Sequence, residues 1–507
     1  MQVLQNIWKR DPAWLSVWVS IVISIWIVFT DDLINSDGVL YIEVAAKILD
    51  GEWLASIKQY SWPFYSVLIA LVSKISFIGL ETSAYVVNVL LQALLAFSFV
   101  RCAQLMGGNN KVALFAAVLL LTNVTLNGYR DQIIRDFGYW AFFFTALYFF
   151  LQYHQSRLTK YAIGFGISIL VATLFRIEGI VFLLLAPLLI VWNEKNKESI
   201  YSTALLLSPM LVIFLLGSAY VAITELTLVS IGRLGDPLSY IQHAYHGLVS
   251  GIVESGDLLE KHVLSVHAQE MGTKSMLAIL AMMFIVKIIS ATGYIPLFFS
   301  ATTYLSKNIK NTIASLNIIN GFMIINVMVL TVFLLSNNFL TPRYTMTMGL
   351  LISLPAAFGL AHFMESKFDA SKWKQRAKVF LVVIFVYMFL DGLISFSASK
   401  TYIKESGAWL KENTPEDARL IANERMLYYY AGKELDPEAL AAGVAMGVGN
   451  ERFLAKKIDY DYLAIKLRKK REQYKDDLIR WSGTEPVFST SNERGDTVYI
   501  FKLNTKN

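Results

Sequence analysis

Apolar runs recur along this chain at lengths that match a lipid bilayer, and no other feature of the sequence constrains the fold as strongly. A hydrocarbon core roughly 30 Å thick takes about 20 predominantly apolar residues in a helix. Runs of that order lie near 13–30, 82–101, 111–127, 137–153, 160–175, 178–192, 200–222, 275–306, 313–336, 345–363 and 379–397. Only 17% of the 507 residues are charged and 55% are hydrophobic, whereas soluble domains carry about a quarter charged residues. The fold expected is an all-α polytopic membrane protein with about eleven transmembrane helices. The 275–306 run is too long for a simple span and contains Lys287, Gly293 and Pro296, so it reads as two pieces.

Charge sets the orientation. Lys9, Arg10, Lys195, Lys197, Lys307, Lys310, Lys372, Lys374 and Arg376 fall in one alternating set of loops, which the positive-inside rule assigns to the cytoplasm. The N-terminus is then inside and the C-terminus outside. This distribution also explains the basic sequence without a nucleic-acid partner, because the cations are topology signals and not a polyanion-binding face. The first run lacks a small-residue cleavage site and reads as a retained helix. Cys102 is the single cysteine, which excludes an internal disulfide and argues against a cysteine-based metal site.

Two domains are expected: a membrane domain over 1–397 and an extracytoplasmic α/β domain over 398–507. The membrane domain carries a first outer loop at 31–81 and a large outer loop at 223–274. In the tail the pattern predicts a helix from Tyr402 to Lys411, strands at ARLIAN and DYLAIKL, and a turn at Gly432. A basic helix from Arg468 to Trp481 and a closing strand pair around Asn492–Gly495 follow. The basic helix reads as an exposed helix with paired charges.

Charged residues collect at one boundary of the membrane. Asp31, Asp32 and Asp37 follow the first run, with Tyr41 one turn beyond. Arg130, Asp131, Arg135 and Asp136 separate the third and fourth runs, Arg176 and Glu178 sit in FRIEG, and Arg343 and Tyr344 sit in LTPRYTM. Ionisable groups at a membrane are costly unless they have a partner or a task. Carboxylates and arginines from separate segments at one depth suit an acid–base reaction beside an anionic, membrane-held group.

The order of these elements resembles the GT-C fold glycosyltransferases, in particular the protein O-mannosyltransferase and lipid A aminoarabinose transferase group. The residues that carry the likeness are DGVLYIEVAAKILDGEW and PFYSVLIALVSKI in the first outer loop, an acidic second loop before an aromatic helix, FRIEG, TPRY, and a soluble domain after the last run. The resemblance implies transfer of a sugar from a polyprenyl-phosphate donor to an acceptor hydroxyl on the periplasmic face of an inner membrane. The acceptor would be a protein, lipid A or another glycan. It implies Asp37 as general base, Asp136 in the acceptor site, and Arg176 and Arg343, with Tyr344 and Glu178, near the lipid phosphate. Asp31, Asp32, Tyr41, Arg130 and Arg135 would support the site. No metal or other cofactor is expected, since a base and cations suffice when phosphate is the leaving group.

Relatives often carry an Asp-Glu pair in the first loop. Here Gly38 follows Asp37, which leaves both Asp37 and the Asp31/Asp32 pair as candidates for the base. Structural readings stand beside these roles. Asp37 can cap a Val39–Leu49 helix, Asp136 can cap a helix or pair with Arg135 or Arg130, Arg176 and Glu178 can form an ion pair at a helix break, and Arg343 can simply start a helix after Pro342. His243, His246, His262 and His267 in the large loop read as solvated histidines. Two other functions remain open: a lipid-linked glycan polymerase or ligase resting on His243 and His246, and a secondary transporter.

Overall fold

The computed structural model describes residues 11–30, 33–209, 250–365, 372–394, 399–448 and 460–503. Five described helices are long and apolar enough to cross a membrane: Pro12–Thr30, Leu80–Leu105, Gly272–Thr292, Leu316–Asn337 and Pro342–Glu365. At 1.5 Å per residue, the 26 residues of Leu80–Leu105 extend about 39 Å. Shorter apolar helices, including Asn110–Leu121 and Thr159–Phe175, lie among them. The protein is a multi-pass membrane protein. The 275–306 run is indeed two helices, Gly272–Thr292 and Tyr294–Leu305. The break is at Gly293, whose φ of +83° suits a residue without a Cβ.

The chain forms two compact units. One comprises residues 1–27, 44–130 and 134–394; the other comprises 28–43, 131–133 and 395–507. In the first unit the helix Asp136–Ser156 is central, packing on Leu80–Leu105 and Thr159–Phe175. Its aromatic residues supply much of the core: Phe143 meets Phe182 edge-on with centroids 4.7 Å apart, and Phe150 meets Phe322 at 5.4 Å. Such edge-to-face pairs add to the area they bury. Pro342–Glu365 is the second buried rod, packed against Gly272–Thr292, Tyr294–Leu305 and Asn110–Leu121.

The second unit is built around a four-stranded sheet of β1 (Leu420–Ala422), β2 (Tyr462–Leu467), β3 (Phe488–Ser491) and β4 (Thr497–Lys502), in the order β1-β2-β4-β3. β1 and β2 run parallel, while β4 is antiparallel to both β2 and β3. The core under the sheet is Ile421, Leu463, Ile465, Leu467 and Phe501. The helix Thr401–Asn413 and all four strands sit where the residue pattern predicts them. Two further helices, Arg425–Ala431 and Pro437–Met446, fill the connection between β1 and β2. A crossover of this kind is what parallel neighbours require. The predicted basic helix from Arg468 to Trp481 is instead a 3-10 stretch, Lys469–Tyr474, followed by a short α-helix, Lys475–Ser482.

This partition differs from a division at 397/398, because residues 28–43 and 131–133 group with the tail. Hydrogen bonds explain the grouping. Asn35 accepts from the Ile133 amide at 2.8 Å and donates to its carbonyl at 3.3 Å. The Ile34 amide donates to the Tyr430 hydroxyl at 3.2 Å, and Arg425 pairs with Glu43 at 3.2 Å.

Candidate active site

Within the helical unit, four charged residues from three separate segments converge. Asp136 opens the helix Asp136–Ser156 and is fully buried. Arg176 is the extended residue that ends the helix Thr159–Phe175, and Glu178 precedes the helix Gly179–Leu185. Arg343 lies in the first turn of Pro342–Glu365. The Arg176 guanidinium donates through Nη1 to Asp136 Oδ1 and grips Glu178 with Nη2 and Nε, the latter at 3.3 Å. Arg343 Nε lies 3.0 Å from Asp136 Oδ2. One carboxylate therefore bridges two guanidinium groups, and a second carboxylate completes the charge balance. A buried ion needs such partners, since an unpaired one is strongly destabilising.

Aromatic rings frame the cluster. The Arg176 guanidinium lies 4.5 Å from the centroid of the Tyr344 ring and 5.9 Å from that of Tyr139. Arg343 also faces the Tyr344 ring, at 5.8 Å. Close helix packing makes the convergence possible. Any Cβ at Gly138 would fall 2.2 Å from the Phe175 ring, so glycine here lets the end of Thr159–Phe175 reach the start of Asp136–Ser156. A small cavity of about 20 Å³ opens against Arg176, Glu178, Arg343, Tyr344 and Tyr139, enough for about one water.

Tyr139, Asn326 and Thr347 line that cavity without having been singled out from the sequence. For two of them a signal existed. Tyr139 is three residues after Asp136 and Thr347 four after Arg343, so each shares a helix face with a charged residue of the cluster. Asn326 offered no comparable clue.

The other expected site residues take no part in the ion pairs of this cluster. Arg130 is buried, and its partners are neutral oxygens: Asn127 at 2.8 Å, Ser24 at 2.6 Å, Gln92 at 2.5 Å and Ser20 at 3.1 Å. Arg135 holds its guanidinium 5.7 Å from the Tyr60 ring centroid. Asp136 thus pairs with Arg176 and Arg343, and neither Arg130 nor Arg135 is its salt-bridge partner in the described structure.

Asp37 and Tyr41 belong to the second unit. Asp37 sits in the first turn of the helix Ser36–Leu49, where the helix dipole favours a carboxylate. Tyr41 is buried on the same helix. Gly38 is sterically required, because a Cβ there would fall 2.8 Å from Asn35 Oδ1 and 2.9 Å from Ile133 Cβ. Gly38 is therefore where the first loop meets residue 133. Asp31, Asp32, His243 and His246 lie outside the described residues.

No protein-family model matches the chain, and no curated protein does. Solved structures do. The oligosaccharyltransferase of Archaeoglobus fulgidus tethered to an acceptor peptide aligns with a TM-score of 0.53 at 12% identity, covering 94% of this chain and 72% of that one. The same organism's AglB, in complex with an inhibitory peptide and a dolichol-phosphate, aligns at 0.56 and 12% identity over 98% of this chain and 74% of the other. The apo form of the archaeal enzyme aligns at 0.51 and 12% identity, covering 94% and 72%. The chain has the GT-C glycosyltransferase fold.

Proposed function

We propose that this protein is an integral-membrane glycosyltransferase that moves a sugar from a polyprenyl-phosphate carrier to an acceptor hydroxyl on the periplasmic side. The observation that carries the reading is the cluster of Asp136, Arg176, Glu178 and Arg343 within a GT-C fold, with Asp136 and Arg176 buried. The archaeal neighbour bound to dolichol-phosphate makes a lipid phosphate the natural anion for such a cluster.

The roles assigned here rest on the geometry of the cluster for the arginines and on the family likeness for Asp37. Arg176 already commits its donors to two carboxylates, whereas the Arg343 side chain keeps 21% of its surface exposed. Arg343 is accordingly the cation that meets the phosphate, and Arg176 braces it through Asp136. Guanidinium groups suit this task because their donors match phosphate oxygens. Asp37 accepts the proton of the acceptor hydroxyl. The hydroxyl oxygen bonds to the anomeric carbon, and the bond from that carbon to the phosphate oxygen breaks. The lipid phosphate departs with the electron pair, stabilised by Arg343 as its charge develops. Neither a metal nor another cofactor has a step in this scheme.

The test is transfer of label from radiolabelled polyprenyl-phosphate sugars to membrane extracts by the purified protein. Wild type transfers label, Asp37→Asn loses transfer, and Arg343→Gln loses it with weaker donor binding. Equal transfer by wild type and Asp37→Asn would remove that residue from its role, and absence of transfer from every polyprenyl-phosphate donor would remove the reading itself.

A further inference from the structure

The second unit holds a pocket of about 700 Å³ that the transfer scheme does not use. Its volume falls in the range of small-ligand sites, about 300–1,000 Å³. Six cations line it: Lys400, Lys466, Arg468, Lys469, Lys470 and Arg494. They come from the start of the tail, the end of β2, the 3-10 stretch and the β3–β4 turn, so the fold and not a single charge run gathers them. Lys466 is paired with Glu424, and Asp496 is committed to the Lys469 amide at 3.1 Å. Set against Glu424, Asp496 and the lining carboxylate of Asp131, six cations leave three positive charges among the described residues. No described carboxylate forms an ion pair with the side chains of Arg468, Lys470 or Arg494.

The pocket also has neutral polar residues. Asn492, Gln132, Ser36 and Tyr402 also line it. The Tyr402 phenol, protonated at neutral pH even at its ordinary 10, is pushed up to about 12 by burial, with Asp496 and Glu424 adding to the effect. A concave site with surplus guanidinium and ammonium groups and neutral donors fits phosphate oxygens, and its shape concentrates the field on an entering anion. Ser36 contributes to the wall, and Asp37 is the next residue in the chain.

We propose that this pocket binds a phosphate group carried by a glycan on the acceptor side of the reaction. The acceptor assignment rests on the role of Asp37 given above; the anion site itself does not. Arg468 and Arg494 supply the principal charge-assisted hydrogen bonds, with Lys400 and Lys470 as flanking point charges.

The experiment is equilibrium titration of the full chain in zwitterionic nanodiscs with a hexose 6-phosphate and with inorganic pyrophosphate. Saturable binding is expected, weakening as salt rises. Arg468→Gln/Arg494→Gln should weaken it about tenfold or more, since each charge-assisted bond is worth about that factor. Lys411→Gln/Lys502→Gln, which removes the same charge from exposed positions outside the pocket, should change it less than about twofold. Absence of saturable binding would overturn the proposal, as would equal losses in the two double variants. A response to vesicles containing an anionic phospholipid, with none to either soluble phosphate, would assign the cations to a lipid surface and overturn it too. Asp37→Asn should bind the soluble phosphates as wild type does, so a failed anion site and a failed base are told apart.

Discussion

In the helical unit Trp18, Met282 and Phe298 face outward, while Ser20, Ser24, Gln92 and Asn326 are buried. In the sheet unit the pattern inverts: Leu463, Ile465 and Phe501 are buried, and Arg468, Lys469 and Lys470 are exposed. Lipid tails are as apolar as leucine, so burying apolar side chains does little to hold membrane helices together, and packing and polar contacts matter more. Around the sheet, water makes apolar burial the main driving force for folding. The same contrast governs charge. The helical unit sequesters Arg176 between two carboxylates, whereas the sheet unit leaves a pocket with surplus cations open. In one arrangement the charges balance and only Arg343 and Glu178 keep an exposed face; in the other cations are in surplus.

Deleting a carboxylate from the balanced cluster should break this comparison most severely. Asp136→Ala leaves Arg176 and Arg343 without their shared partner and should cost about 3–5 kcal/mol of stability, read by unfolding in detergent. Asp136→Asn, which keeps hydrogen-bond acceptance, should recover part of that loss, and equal stability of wild type and Asp136→Ala would show the cluster to be structurally dispensable. In the sheet unit, Leu463→Ala opens a cavity in the core and should cost about 2–5 kcal/mol in the same unfolding assay.

A smaller effect concerns the Asp436 cap. Its carboxylate accepts from the Glu438 amide at 2.9 Å and from the Tyr460 hydroxyl at 2.8 Å. Desolvation pushes its pKa up, but these bonds outweigh it and hold the group below the ordinary 3.8. Its contribution is thus fully present above pH 3.8 and is lost as pH falls through the lower folded value. Asp436→Ala should cost about 1 kcal/mol at neutral pH, and the wild-type advantage should shrink in acid. A pH-independent difference would mean that the carboxylate charge is irrelevant to the cap. Trp18→Leu, on the outward face of Pro12–Thr30, should change stability by less than about 0.5 kcal/mol, because one apolar side chain replaces another against lipid. A large loss on unfolding in detergent would mean that Trp18 meets a protein partner.

Much of this was legible in the residues themselves. Apolar run length located the five long apolar helices, the residue pattern located all four strands, and Gly293 lay at the division of the longest run. The helices Arg425–Ala431 and Pro437–Met446 were harder to see, because seven and ten residues are too few for periodicity to stand out from the background. In the site, the cluster members Asp136, Arg176, Glu178, Arg343 and Tyr344 were recognisable as candidates from composition and order. Their pairing was not. Asp136 stands beside Arg135 in the chain, yet it forms ion pairs with arginines from distant segments.

Arg130 and Arg176 show where local information stops. Both are buried arginines at helix junctions, but one meets neutral oxygens of Ser20, Ser24 and Gln92 and the other meets two carboxylates. The basic string from Arg468 is similar: read alone it is a solvated helix, and only its 3-10 turn and the approach of Lys400 and Arg494 make it one side of a pocket. Hydropathy and periodicity are properties of single segments, so the chain alone determined which stretches enter lipid and which form the sheet. Partnerships between charges depend on which segments pack together. That choice belongs to the tertiary structure, since a charge is stabilised by whatever lies within a few ångströms of it and not by its neighbours in sequence.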